Sequence, residues 1–191
     1  MAASFKPVES EEGLRTLARL ADEIWHEYWP AIIGRAQTDY MVERFQSLPA
    51  IKKSVAEQGY RYWLIVDDAC ASDRSATADA SDSEWGADGI VGYTGGCAEP
   101  DTNRFFISKI YLLEHARGRG YCSKTIEFYD DLCRAEGLHA MYLTVNKRNE
   151  MGIRAYRAKG FETIDSVETD IGKGFVMDDF VMEKPVFDEK A

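Results

Sequence analysis

Two hydrophobic periods alternate along this chain, one of about two residues and one of about three to four. Phe5-Lys6-Pro7-Val8 opens it as a short strand. Ser10-Glu11-Glu12 then supplies a capping hydroxyl and first-turn acids. Leu14, Leu17, Ala18, Ala21, Ile24, Trp25 and Tyr28 follow at helical spacing, and Pro30 is read as the stop. Thr38-Asp39 is read as the cap of a second helix, with Met41, Val42 and Phe45 inward and Pro49 ending it. Ile51 and Val55 predict a third, short helix up to Gly59. Tyr60 to Val66 (YRYWLIV) is a strand by composition. Gly89 to Cys97 is the returning strand, and its four glycines (Gly89, Gly92, Gly95, Gly96) predict bulges or a close backbone approach. Arg104 to Leu113 is the central strand.

The second half repeats strand and helix. A helix opens after Arg117-Gly118-Arg119-Gly120, with Cys122, Ile126, Tyr129 and Cys133 on one stripe and Gly137 as its stop. Met141 to Val145 is a short strand. Asn149 to Tyr156 is a helix, and Lys159-Gly160-Phe161 ends it. Glu162 to Val167 and Phe175 to Glu183 are two last strands around a Gly172-Lys173-Gly174 turn. This order predicts an α+β fold in a single domain, residues 1–191, with a mixed sheet.

Residues 68–88 break the pattern. They are rich in Ala, Ser and Asp, hold six acids against one arginine, and carry Trp85 as their one large apolar side chain. They read as a long flexible insertion in a β-hairpin, dispensable for chemistry.

Composition narrows the function. The 191 residues suffice for a sizeable core, and 45% of them are hydrophobic. A net charge of −10 argues against nucleic acid as the main partner and is compatible with a cationic substrate. No apolar run approaches a membrane span, and MAASFKPVESEEG lacks a signal-peptide core, so no membrane partner and a cytoplasmic location are expected. Cys70, Cys97, Cys122 and Cys133 form no CxxC pair and are expected to be reduced thiols. With His26, His115 and His139 scattered, no metal site is expected.

The turn before the Gly120 helix points to an anion. The first N–H groups of a helix lack partners inside it, and its dipole adds positive potential there. Gly118 and Gly120 remove side chains that would keep a phosphate away, and Arg117, Arg119 and Lys124 add charge.

Arg117-x-x-Gly120-x-Cys122 resembles the acyl-CoA signature of the GNAT superfamily of N-acetyltransferases, Arg/Gln-x-x-Gly-x-Gly/Ala, with Cys122 departing at the last position. Downstream, the strand Met141–Val145, then Asn149, then a helix carrying Tyr156, then Gly160-Phe161, is similar to the same family in order and spacing. Asn149 and Tyr156 stand two helical turns apart, so both can face one cleft. The likeness runs from about Phe5 to Pro185 and implies the GNAT fold, a mixed, mostly antiparallel central sheet of about seven strands flanked by helices.

The resemblance also implies roles. Acetyl-CoA would lie beside the central strand, its arm held by backbone groups of Ile110, Tyr111 and Leu112, with one N–H polarising the thioester oxygen. Arg117, Gly118, Arg119, Gly120, Tyr121 and Cys122 would hold the pyrophosphate. Asn149 would hydrogen-bond the arm from the other side, and Tyr156 would protonate the leaving thiolate. The base is left open. Phe106 and Ser108 occupy the strand positions where an acid is sought, and Glu99, Asp101 and Glu114 flank them. The run from Gly172 to Lys184 resembles small bacterial relatives that include polyamine acetyltransferases, and Asp178-Asp179 in it is suited to a cationic amine. The expected acceptor is therefore a small amine such as a polyamine, attacked directly in a ternary complex. The alternatives are a peptide or protein amine, or an acyl-CoA-binding domain without catalysis. A homodimer is compatible with all of these.

Overall fold

The computed structural model describes residues 3–67, 85 and 89–187. Its strands form one seven-stranded sheet in the order β1-β2-β3-β4-β5-β7-β6. These are β1 (Ser4–Pro7), β2 (Arg61–Val66), β3 (Ile90–Glu99), β4 (Arg104–Leu112), β5 (Ala140–Asn146), β6 (Glu162–Gly172) and β7 (Phe175–Pro185). β4 and β5 run parallel and the other neighbours antiparallel, so the sheet is mixed as expected.

Helix α1 (Glu11–Tyr28) starts where the sequence places it. The Ser10 hydroxyl accepts from the Gly13 N–H at 3.0 Å, and Leu17, Leu20, Ala21, Ile24 and Trp25 are buried. The helix ends at Tyr28, just before Pro30 as expected, but Pro30 also opens a further turn. It sits in the first turn of α2 (Pro30–Ile33), where a missing N–H costs nothing. Thr38 is not a cap. It lies inside α3 (Arg35–Met41), and its hydroxyl donates to the Gly34 carbonyl one turn back. A π-turn over Val42–Gln46 leads to α4 (Leu48–Gln58), in which Pro49 again occupies the first turn. Helix α5 (Tyr121–Glu136) ends at Gly137 in the left-handed region, and α6 (Glu150–Arg157) follows β5.

Two features of β4 position the site. The first is a bulge. Gly95 pairs with Lys109 and Gly96 with Ile107, so Ser108 has no counterpart on β3. The extra residue reverses which side chains face which side. Before it, Phe105 and Ile107 pack with Ile126 and Tyr129 of α5. After it, Lys109 lies over the rings of Tyr60 and Tyr62, and Tyr111 packs on Trp25 and Tyr93. Glycine is required here, since a Cβ on Gly96 would fall 2.0 Å from the Phe106 carbonyl oxygen.

The second feature is a parting of strands. β5 pairs with β7 along its whole length, from Ala140–Pro185 to Asn146–Asp179. With β4 it pairs at three positions alone, Arg104–Ala140, Phe105–Met141 and Phe106–Tyr142. Beyond Phe106 the two strands diverge, and the β5-facing backbone of β4 has no strand partner among the described residues.

Of residues 68–88, Trp85 is described. It is buried against α1, its indole N–H donates to Glu23 at 2.5 Å, and Arg19 lies over its ring. The flexible insertion expected from the sequence otherwise lies outside the described residues.

Candidate active site

The gap between β4 and β5 opens into a cavity of about 840 Å³. Nearly every residue singled out from the sequence lines it: Ile110, Tyr111, Leu112, Arg117, Gly118, Gly120, Tyr121, Cys122, Asn149 and Tyr156. Arg119 is exposed beside the same turn and is not part of the lining.

The turn is shaped by its glycines. Gly118 and Gly120 have φ of +74° and +86°, and a Cβ on either would meet nothing within 4 Å. Open space therefore faces both, while their backbone conformation excludes most other residues. Gly120 is the N-cap of α5 and supplies no side-chain cap, so the first N–H groups of that helix face outward unpaired by one. This is the local chemistry of an anion site.

Arg117 is engaged elsewhere. Its Nε donates to the Leu112 carbonyl and its Nη2 to Glu27, both at 3.0 Å, and the guanidinium sits 4.8 Å from the centre of the Tyr28 ring. It ties the turn to α1. Asn149 is similarly committed. Its Oδ1 accepts the Gly152 N–H at 3.0 Å, capping α6, and the Tyr28 hydroxyl at 2.8 Å. Its amide nitrogen is what it has left to offer a ligand.

Tyr156 is half-buried on α6, near Cys122, Tyr111 and Tyr28. Burial holds its phenol well above the usual value, so it keeps its proton at neutral pH. Burial also pushes the Cys122 thiol up to about 11, which makes it a packing residue and not a thiolate.

The first helices supply a further wall of the cavity. Of the aromatic-rich stretch noted in the sequence, Trp25, Tyr28 and Trp29 line the cavity. His26 faces away and bonds Asp39 at 2.9 Å, and Tyr40 bonds the Ile171 carbonyl.

Three acids flanking β4 were candidates for the base, and none lines the cavity. Glu99 accepts the Tyr142 hydroxyl at 2.5 Å, Asp101 is exposed in a turn, and Glu114 is exposed after β4. The carboxylate that does line it, alone among the described residues, is Asp179. Adjacent residues of a strand face opposite sides, and the Asp178-Asp179 pair is divided accordingly. Asp178 forms an ion pair with Lys147, while Asp179 is buried at the cavity wall. Burial, then the Asp178 charge, raise its pKa to about 6 against the pull of Lys147 and a hydrogen bond from Asn146.

Of the lining residues that had no place in the sequence reading, Lys109 is the buried charged one. Lys109 is buried, and burial lowers its pKa to about 8. The available signal was a lone charge inside the apolar run Ile107–Leu113.

Comparison with known proteins gives the family and bears out the fold. The family model of the acetyltransferase (GNAT) family matches residues 21–161. The chain belongs to that family.

Solved structures of similar fold span nearly the whole chain. The PaiA N-acetyltransferase of Thermoplasma acidophilum, solved with coenzyme A, is 18% identical, with 97% of this chain and 99% of that one aligned at a TM-score of 0.71. A spermidine N-acetyltransferase SpeG chimera from Vibrio cholerae and hSSAT is 16% identical over 97% and 96%, with a TM-score of 0.63. A GCN5-related N-acetyltransferase of Rhodopseudomonas palustris is 11% identical over 97% and 96%, with a TM-score of 0.67. No curated protein matches. The site fits acetyl-CoA as the acetyl donor: an unpaired strand edge for an extended arm and an open glycine turn at a helix start for phosphates. The described residues hold no helix long and apolar enough to cross a membrane.

Proposed function

We propose that this acetyltransferase moves an acetyl group from acetyl-CoA to the primary amine of a small acceptor, in a complex that holds both at once. The observation that carries this reading is the parting of β4 and β5. It opens one continuous cavity, lined by a glycine turn suited to an anion and by an aromatic-walled chamber holding a buried carboxylate.

Bound in the gap, acetyl-CoA supplies an activated acetyl thioester. Backbone N–H and C=O groups of Ile110, Tyr111 and Leu112 are suited to hold its arm, and an N–H of that row to polarise the thioester oxygen. Gly118, Gly120, Tyr121 and Cys122 offer backbone to the pyrophosphate, with Arg119 beside them. Arg117 and Asn149 hold the two walls in register through Tyr28.

Asp179 meets the acceptor. Its pKa of about 6 leaves it ionised at neutral pH, so it attracts an ammonium and takes its proton, freeing the lone pair for attack. Tyr156 delivers a proton to the departing sulfur. Its raised pKa means that the proton moves only as charge builds on that sulfur. Alignment of the two reactants across the gap supplies the larger part of the rate.

A polyamine is one acceptor of this class, and the named activity of the SpeG relative supports it for that protein. The chamber supports a single ammonium at Asp179, since the other charged side chains lining the cavity, Arg44, Lys53, Lys109 and Arg117, are all cationic. The test is a screen of primary amines with acetyl-CoA, reading released thiol. Turnover on a small amine is the expected result. Tight binding of acetyl-CoA with no turnover on any amine would favour the binding-domain reading instead.

A further inference from the structure

Lys109 has an uncommon setting. It is 8% exposed, on the central strand, at the wall of the acceptor chamber. The other well-shielded cations among the described residues have carboxylates: Arg117 has Glu27 at 3.0 Å, Arg104 has Glu183 at 2.8 Å, and Lys184 is paired with Asp130. Lys109 has no carboxylate partner among the described residues. Its Nζ lies 5.3 and 5.7 Å from the ring centres of Tyr60 and Tyr62 and 3.4 Å from the Ser108 hydroxyl. Ring faces and one long hydroxyl contact offset part of the cost of withdrawing an ammonium from water, and an anion would offset far more. The bulge at Ser108 is what turns this side chain into the chamber.

We infer that the acceptor carries an anionic group besides its amine, and that Lys109 receives that group, so that the substrate class is an amino carboxylate. The inference rests on the transfer reading above and adds the second end of the substrate. Tyr60, whose ring Lys109 faces, and Gln58 line the same cavity and offer a hydroxyl and an amide N–H to a carboxylate, while the Ser54 hydroxyl is spent on the Ile51 carbonyl. Tyr111 is within electrostatic reach of Asp179 and also of Tyr60 and Tyr62, on whose rings Lys109 lies. Asp179 and Lys109 thus line one cavity, opposite in charge and both buried, and each suits one end of a zwitterion. A diamine places its second ammonium against Lys109, where like charges repel.

The test compares acceptors that differ at one end only. A series of amino carboxylates, from α-amino acids to 6-aminohexanoate, is assayed with acetyl-CoA, each against the alkylamine and the diamine of the same chain length. At least one amino carboxylate is expected to exceed both matched amines in kcat/KM by about ten- to a hundredfold, as for a buried charge-assisted pair. In Lys109→Met, which keeps the length of the stem, that ratio should collapse toward one, whatever happens to the absolute rates. Circular dichroism and acetyl-CoA affinity check that the variant is folded. A wild-type protein that acetylates alkylamines or diamines as well as every amino carboxylate would overturn the anion subsite and leave the transfer reading intact. An unchanged ratio in a folded Lys109→Met protein would overturn the role of Lys109. Failure of all three series with acetyl-CoA bound would overturn the transfer reading, and the subsite with it.

Discussion

The hydroxyl of Tyr28 donates to Oδ1 of Asn149 at 2.8 Å, across 121 residues of sequence. That oxygen also caps α6 through the Gly152 N–H, and the face of the same tyrosine carries the Arg117 guanidinium. One side chain of α1 therefore holds both the phosphate-side turn and the start of the helix that bears Tyr156. Tyr28→Phe removes the hydroxyl and keeps the ring. We expect a loss of about 1 kcal/mol in urea unfolding. Acetyl-CoA affinity measured by calorimetry should weaken severalfold, with a smaller change in kcat at saturation. Unaltered affinity would mean that the two walls are held apart by other contacts.

Gly120 adopts φ of +86°, so any side chain there adds strain. Comparing Gly120→Asn with Gly120→Asp separates strain from charge, because the two residues share shape and tolerance of this conformation. The asparagine variant should bind acetyl-CoA moderately less well than wild type. The aspartate variant should lose at least about another tenfold through repulsion at the helix start. Equal affinities for the two would place the phosphates elsewhere.

Tyr156→Phe tests the proton donor. The ring packs 5.9 Å from Phe161, centre to centre, and phenylalanine preserves that contact. Stability and acetyl-CoA affinity should hold, while kcat and kcat/KM fall together by about a hundredfold. Wild-type turnover, under conditions where chemistry limits, would reduce Tyr156 to packing.

Asp179 gives a signed pH dependence. Its pKa of about 6 in the fold exceeds the ordinary 3.8, so between these values the folded protein binds the proton more tightly than the unfolded chain. Wild type accordingly loses stability as pH rises through that window, by an amount on the order of 3 kcal/mol once ionisation is complete. Asp179→Asn escapes this loss. Its stability relative to wild type should grow between pH 4 and pH 7 in paired urea titrations, while kcat/KM at pH 7 drops at least about tenfold. A stability difference that does not vary with pH would show that Asp179 is not held in a raised state.

The order of strands and helices was readable because each element carries its own period. The two prolines follow the ends of helices as expected, and what the sequence did not show is that each also begins the next: Pro30 and Pro49 sit in first turns, where a missing N–H costs nothing. The glycine turn, Asn149 and Tyr156 were legible through spacing and resemblance together, and they do share one cavity. The acceptor end was not. Asp178 and Asp179 look alike in sequence, and only the pairing of β7 with β5 shows which of them turns inward. Lys109 depends on a one-residue bulge, and the glycines that signal such a bulge do not say which strand holds the extra residue or which side chain it redirects.

A consequence of the three-pair junction between β4 and β5 concerns abundance. Among the described residues nothing pairs with the backbone row beyond Phe106, so a donor bound there as proposed would act as a missing eighth strand. A donor that completes a sheet contributes to folding itself: at a concentration a hundred times its dissociation constant, it adds about 2.7 kcal/mol of stability. In a cell, chains with an empty gap are then the ones most open to proteolysis. The standing amount of this acetyltransferase would follow the acetyl-CoA pool with no regulator between them.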